Sequence, residues 1–294
     1  DATLGGLSGE AGTQLCGSSK QQNGFNCIWH IGGANTNETF AGVINNYSCS
    51  GSGHQGTVSI EKTGKGYWRL TGANEYSGAT TVTAGRLIVN GVHKGQGAFT
   101  VASGATLSGQ GTIPGNVTIK KGGTLMAGDS TITSKVLILQ GTNTLQAGAK
   151  VHVMTRFVES TGKIISNHLD AKQISLGTSS ILEIDMSNLP ETLNNGLSIR
   201  VFTSTSKPTG KFQKIVPERP SDNQEWDLTE LYTKGIIYIR DAEAPDAIQG
   251  PSAPQTTSIV DKRYNLQGIA TQASSQGITV VTSTSGKARK ILSH

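Results

Sequence analysis

Charge and aromatic rings are both scarce in this chain: 15% of its 294 residues are Asp, Glu, Lys or Arg, and 5% are Phe, Trp or Tyr. Ordinary globular chains carry about 25% charged residues. Disorder normally couples a lack of β-branched residues to a high net charge. Here the formal net charge is only +5, and Thr, Val and Ile recur in short runs. The basic excess is dispersed and never interleaved with aromatics, which argues against a nucleic-acid-binding surface. No run of 18 apolar residues occurs, so no helix spans a membrane. The three cysteines, Cys16, Cys27 and Cys49, contain no CxxC pair, and the histidines His30, His54, His93, His152, His168 and His294 lack ligand-like spacing. Neither pattern fits a zinc site, and no cofactor is expected. GxSxG, HExxH and a P-loop are absent as well.

Glycine is abundant instead, with 38 residues, and the chain repeats itself between Gly51 and Asn143. The clearest units are TTVTAGRLIVNG (80–91), FTVASGATLSGQG (99–111) and VTIKKGGTLMAG (117–128). Each is a short β run, a glycine-bearing turn and a second β run. Val82, Val101 and Ile119 lie 19 and 18 residues apart, while Leu87, Leu107 and Leu125 lie 20 and 18 apart. A period near 20 marks a solenoid. One unit cannot bury a core alone, so successive units stack about 4.8 Å apart and share a narrow apolar interior. This stacking places Val82 beside Val101 and Ile119, and Leu87 beside Leu107 and Leu125. Gly85, Gly104 and Gly123 are expected at corners that need a positive φ or a close approach to the next coil. A β-sandwich is the competing architecture and fits the fixed period less well.

The wording of residues 62–91, KTGKGYWRLTGANEYSGATTVTAGRLIVNG, followed by 104–128, resembles the autotransporter-associated β-strand repeat. LEIDMSN (182–188) and WDLTELYTKGIIYI (226–239) look like closing coils of such domains. The resemblance implies an all-β fold, a right-handed parallel β-helix on an exported bacterial protein, and no catalysis. A second resemblance covers 258–294, which is similar to Bacteroidetes type IX secretion sorting domains through Tyr264, Leu266, Gly268, Gly277, Gly286 and Lys290. Ile269 stands where that pattern has a basic residue, and the segment is short for such a domain. The expected organisation is a β-helix over residues 1–240, a Pro- and acid-rich linker over 241–257, and a small C-terminal β appendage over 258–294. The N-terminus opens in Gly-rich, repeat-like text with nothing resembling a cap, so the helix is expected to continue from upstream sequence.

Enzymes built on β-helices need several carboxylates on one outward face. Acids in the first half are scattered. The best pair is Glu183 with Asp185 in ILEIDM, outward if Leu182, Ile184 and Met186 point inward, and two acids on a solvated strand face are its ordinary explanation. Asp222, Glu225, Asp227 and Glu230 cluster near Trp226 and read as part of a terminal coil. Tyr67, Trp68 and Tyr76 are candidates for stacking on sugar rings, with core packing the competing role for Trp68. Trp29 reads as core. Cys27 and Cys49, one coil apart, could form a disulfide or bury two thiols. Asp129-Ser130-Thr131 matches a short Bacteroidetes O-glycosylation pattern at Ser130.

Two functional readings follow. One is a secreted or cell-surface β-helix acting as a stalk or adhesive face toward glycans or other cell-surface components. The other is a C-terminal accessory, glycan-binding domain of a carbohydrate-active enzyme such as a polysaccharide lyase, its catalytic part upstream or on a separate chain.

Overall fold

A computed structural model describes residues 1–17, 23–48 and 53–242, and beyond them the backbone of four short strands. The chain divides into two compact units, Asp1–Ala242 and Glu243–His294. In the second unit Arg263–Tyr264 pairs antiparallel with Ala270–Thr271, and Ile278–Thr282 with Ala288–Leu292. Linker residues 243–257 and the sorting-like residues Leu266, Gly268, Gly277 and Gly286 lie outside the described residues.

The first unit is a parallel β-helix. From Asn26 onward most strands fall alternately into two long sheets. Among the described residues the first sheet follows a path of nine parallel strands from Ala2–Leu4 to Phe202–Ser204, and the second a path of eight from Glu38–Phe40 to Lys214–Val216. The registers are those the period predicts: Val82 pairs with Val101 and Val101 with Ile119, while Leu87 pairs with Leu107 and Leu107 with Leu125. The first row continues to Leu145 and Leu176, the second to Val151 and Leu182. Every one of these side chains is buried. Intervening residues such as Thr81, Thr100 and Thr118 face outward and are half-buried, as an alternation of period two requires.

At corners, where ladder hydrogen bonds lapse, asparagine side chains take over. Asn35 Oδ1 accepts from Lys65 N at 2.8 Å, Asn37 Oδ1 from Tyr67 N at 2.9 Å, and Asn116 Oδ1 from Thr142 N at 2.8 Å. Each bond joins one coil to the next. A buried backbone group left unpaired is costly, so these residues extend the stacking through the turns. Gly85 and Gly104 adopt the expected positive φ, at 65° and 74°. At the third corner Gly122 takes that role with φ 75°. Gly123 is there for proximity, since a Cβ on it would lie 2.9 Å from Ala102 O.

Several polar side chains enter the interior, among them Thr80, Asn143, Lys62 and His93. Lys62 occupies the interior row between Ile31 and Val82 and is fully buried. Its stem fills the space of an aliphatic residue, and its Nζ donates to the carbonyls of Thr63, Gly64 and Ala84 at 2.5, 2.9 and 3.3 Å. Burial lowers its pKa to about 8. His93 is also buried, 4.4 Å from the ring of Tyr76 and 5.3 Å, edge-on, from Phe99. Its Nε2 has no hydrogen-bond partner.

The C-terminal end of this unit departs from parallel stacking. Ser198–Arg200, Ile236–Asp241 and Gln224–Asp227 form an antiparallel sheet, with a one-turn helix over Leu231–Lys234. Ile199, Trp226, Leu231, Ile237 and Ile239 join the helix core. Residues 226–239, which resemble a closing coil, therefore form an antiparallel cover. Repeat arrays need such a terminal unit to shield the last apolar layer.

His93 gives the fold a pH signature. Burial lowers its pKa from 6.5 to about 4, so the folded state holds it neutral. Its contribution is complete above pH 6.5 and is lost as pH falls through that window toward 4, by at most about 3 kcal/mol. Denaturant unfolding at pH 7 and pH 4.5 should show His93→Phe losing less stability on acidification than the parent. An equal loss in both proteins would contradict this assignment.

Candidate functional site

The structure corrects two of the three stacking candidates. Trp68 is 1% exposed and donates from Nε1 to Leu7 O at 2.9 Å. Tyr76 is 0% exposed, with its hydroxyl 2.6 Å from Thr80 Oγ1. Both rings fill the solenoid interior, so neither has a face to offer a sugar. Tyr67, one residue out of phase with Trp68, is half-buried on the outer face, and the Arg69 guanidinium lies 4.7 Å from its ring centroid. Trp29 aligns with the inward-facing Ile60 and packs against the core while only half-buried. Cys27 aligns with Val58 on the inward side, whereas Cys49 lies outside the described residues. Ser130 is exposed.

Four of the six carboxylates singled out in the sequence, Glu183, Asp185, Asp227 and Glu230, have a local partner. Glu183 Oε2 lies 3.2 Å from His152 Nδ1 on the next coil. Asp185 Oδ1 accepts from Ser187 N at 3.0 Å; against desolvation, which acts to raise its pKa, the Ser187 bonds bring it down. Asp227 pairs with Arg240 at 3.0 Å, and Glu230 with Lys234 at 2.6 Å and the Tyr238 hydroxyl at 2.7 Å. Bonds from Thr229 and Lys234, respectively, lead the causes that hold these two carboxyls below their ordinary pKa. Asp185, Asp227 and Glu230 are thus held below their ordinary pKa by structural hydrogen bonds, the opposite of the raised pKa that a general acid needs. Among the described residues no three His, Cys, Asp or Glu side chains gather to hold a metal ion, and no helix is long and apolar enough to cross a membrane.

The most elaborate polar constellation was not legible in the sequence. After the strand Thr124–Met126 the chain leaves the coil, and residues 127–135 fold back over the outer face of the second sheet. Gly128 and Gly109 exchange backbone hydrogen bonds of 2.6 and 2.9 Å, which aims Asp129 at the two preceding coils. Its Oδ2 lies 2.8 Å from Arg69 Nε and 2.5 Å from Arg69 Nη2. Arg86 donates to Asp129 O at 2.6 Å and to Ser108 Oγ at 2.7 Å, and Arg69 reaches Thr39 Oγ1 at 3.2 Å. One half-buried network thus ties together four neighbouring strands and the strap. Beneath it, outward-facing Ile88 and Ser108 are fully buried. The strap's far end is held by Asn167, which donates to Thr131 O at 2.8 Å and accepts from Lys135 N at 2.8 Å. Sequence spacing hides this arrangement because Asp129 and Arg69 are separated by 60 residues and belong to no shared repeat position.

The other long face is different. Thr81, Thr100, Thr118, Thr144 and Ser175 stand in register on the outside of the first sheet. They form an uncharged row of hydroxyls, one per coil, about 4.8 Å apart.

The repeated module has known counterparts. Residues 60–89 match the family model described as Passenger-associated-transport-repeat. Over 125 residues, 42% of this chain, the sequence is 38% identical to the Adhesin BmaC autotransporter of Brucella suis biovar 1 (strain 1330). The chain spans 3% of that protein's length. Both matches indicate an exported, cell-surface protein.

Strap attachment can be measured directly. Asp129→Ala should leave two guanidinium groups at a half-buried site without their carboxylate, destabilising the unit by about 1–3 kcal/mol. Hydrogen exchange at amides 128–134 should accelerate in the same variant. Asp222→Ala, whose side chain enters no ion pair among the described residues, should change neither measurement.

Proposed function

We propose that the chain is a non-catalytic segment of an exported surface protein, in which the β-helix is a rigid stalk whose outer hydroxyl face meets glycans or other components of a cell surface. The observation that carries this reading is the combination of a passenger-associated repeat with an in-register hydroxyl row over five coils. A flat, uncharged polar face pays little desolvation cost when it contacts another polar surface, and a stacked coil presents the same contact repeatedly, so weak contacts add by multivalency. The similarity to an adhesin supports the same reading. In this reading Tyr67 supplies a half-exposed ring within that module, Ser130 on the strap is open to glycosylation, and the tail over 258–294 serves export as a sorting-like segment.

The test is adhesion of the full chain to immobilised cell surfaces. Thr100→Lys combined with Thr118→Lys should weaken binding several-fold while leaving the melting temperature within a few degrees, because both side chains project outward. Unchanged adhesion would remove the hydroxyl row from the contact. Turnover of any polysaccharide by the purified chain would overturn the non-catalytic reading.

A further inference from the structure

A cavity of about 220 Å³ opens on the first unit where the hairpin strand Lys163–Ser166, the start of His168–Leu176 and the antiparallel strands Ser198–Arg200 and Ile236–Asp241 converge. Its polar lining is the His168 imidazole, the Arg200 guanidinium and the serines Ser134, Ser166 and Ser198. Ile164 and Ile236 supply apolar wall. That is space for several water molecules of ~30 Å³ each, more than a bare inorganic anion requires.

Three independent features set this cavity apart from an incidental groove. His168 Nδ1 is enclosed beside the Ser166 backbone and makes no hydrogen bond of good geometry, a costly condition for a polar atom. Arg200 enters no ion pair among the described residues, and its guanidinium reaches only Lys234 O, at 3.4 Å. Arg69, Arg86 and Arg240, by contrast, are each matched to a carboxylate. Ser134, at the end of the strap, holds φ at 57°, a left-handed conformation unfavourable for a residue with a side chain. A cationic fork, an imidazole ring and hydroxyls converging beside an apolar wall have the composition of a small-ligand site.

We propose that this cavity binds a single acidic sugar residue. Arg200 takes the carboxylate in a charge-assisted, two-pronged bond. The Ser134 and Ser198 hydroxyls meet ring hydroxyls, the His168 ring borders the site, and the isoleucines cover the C–H face of the ring. The proposal rests on reading the chain as a surface that contacts glycans, and it adds a defined pocket and a charge requirement to that reading.

Titration of the isotopically labelled full chain with sodium glucuronate, followed by NMR, tests it, with glucose and sodium sulfate as parallel probes. Glucuronate should give saturable shifts at millimolar concentration, centred on Ser166, His168, Ser198 and Arg200. Arg200→Gln should weaken that binding about tenfold or more, the effect of losing one charge-assisted contact. Ser198→Phe, which fills the cavity from an exposed rim position, should abolish it. Melting curves of both variants establish that each is folded. Glucose binding as tightly as glucuronate would overturn the charge requirement, and sulfate doing so would overturn the sugar. Glucuronate shifts unchanged in both folded variants would overturn the site. Adhesion of the same variants, measured in parallel, separates failure of this pocket from failure of the surface reading, which stands or falls on the hydroxyl row.

Discussion

Each coil of this helix takes its backbone hydrogen bonds from the coils before and after it, and that dependence imposes a single registration on everything else. A strand of three or four residues, such as Thr80–Val82 or Arg86–Val89, has too few contacts to persist alone. Stacked between neighbours, its inward side chains fall into continuous rows and its outward ones repeat at the strand spacing. A shift of one residue in any coil would turn Val82 or Leu107 to solvent and put Thr81 or Ser108 inside. The corner asparagines serve the same constraint, because turns are where the ladder lacks partners and where a short amide side chain can supply them.

The same constraint explains how the interior tolerates Lys62 and His93. Lys62 lies beside a corner whose carbonyls converge on its ammonium group, so the charge is solvated by backbone while the stem completes an apolar row. His93 is accommodated by a different route, remaining neutral between two aromatic rings. The interior of a β-helix is narrow enough that every inward residue lies close to backbone, which makes polar insertions there a matter of local carbonyl geometry more than of depth.

How far the sequence reveals the structure depends on whether a feature belongs to the period. The apolar rows, the outward threonines and the corners at Gly85 and Gly104 follow from equal spacing and strand alternation, and the structure has them. Trp68 and Tyr76 show the limit. Their chemistry suits sugar stacking as well as core filling, and only the register, with Trp68 opposite Leu87, places Trp68 inside. Tyr76 sits in a turn outside any strand, so alternation gives no guidance, and its burial follows from contacts with His93 and Thr80. The strap network is less legible still. Its ion pairs connect residues of different coils through a segment that follows no repeat, and a lone Asp in a loop carries no sign of the two arginines it will meet.

The non-periodic features are also where specificity can reside. The inward row advances by 19 and 18 residues through Val82, Val101 and Ile119, then by 26 to Leu145 and 31 to Leu176. The excess in the longer coils is spent on the strap over 127–135 and on the hairpin that returns through Lys163–Ser166. A uniform coil offers a partner the same shallow row of hydroxyls at every level, suited to repeated weak contact and poor at discriminating one ligand from another. Enclosing a ligand requires chain that leaves the stack and comes back. In this protein those excursions, together with the antiparallel cover, surround a polar-lined cavity whose wall includes Arg200, an arginine that enters no ion pair among the described residues. The regular coils supply length, rigidity and repetition, and the irregular ones supply concavity and charge.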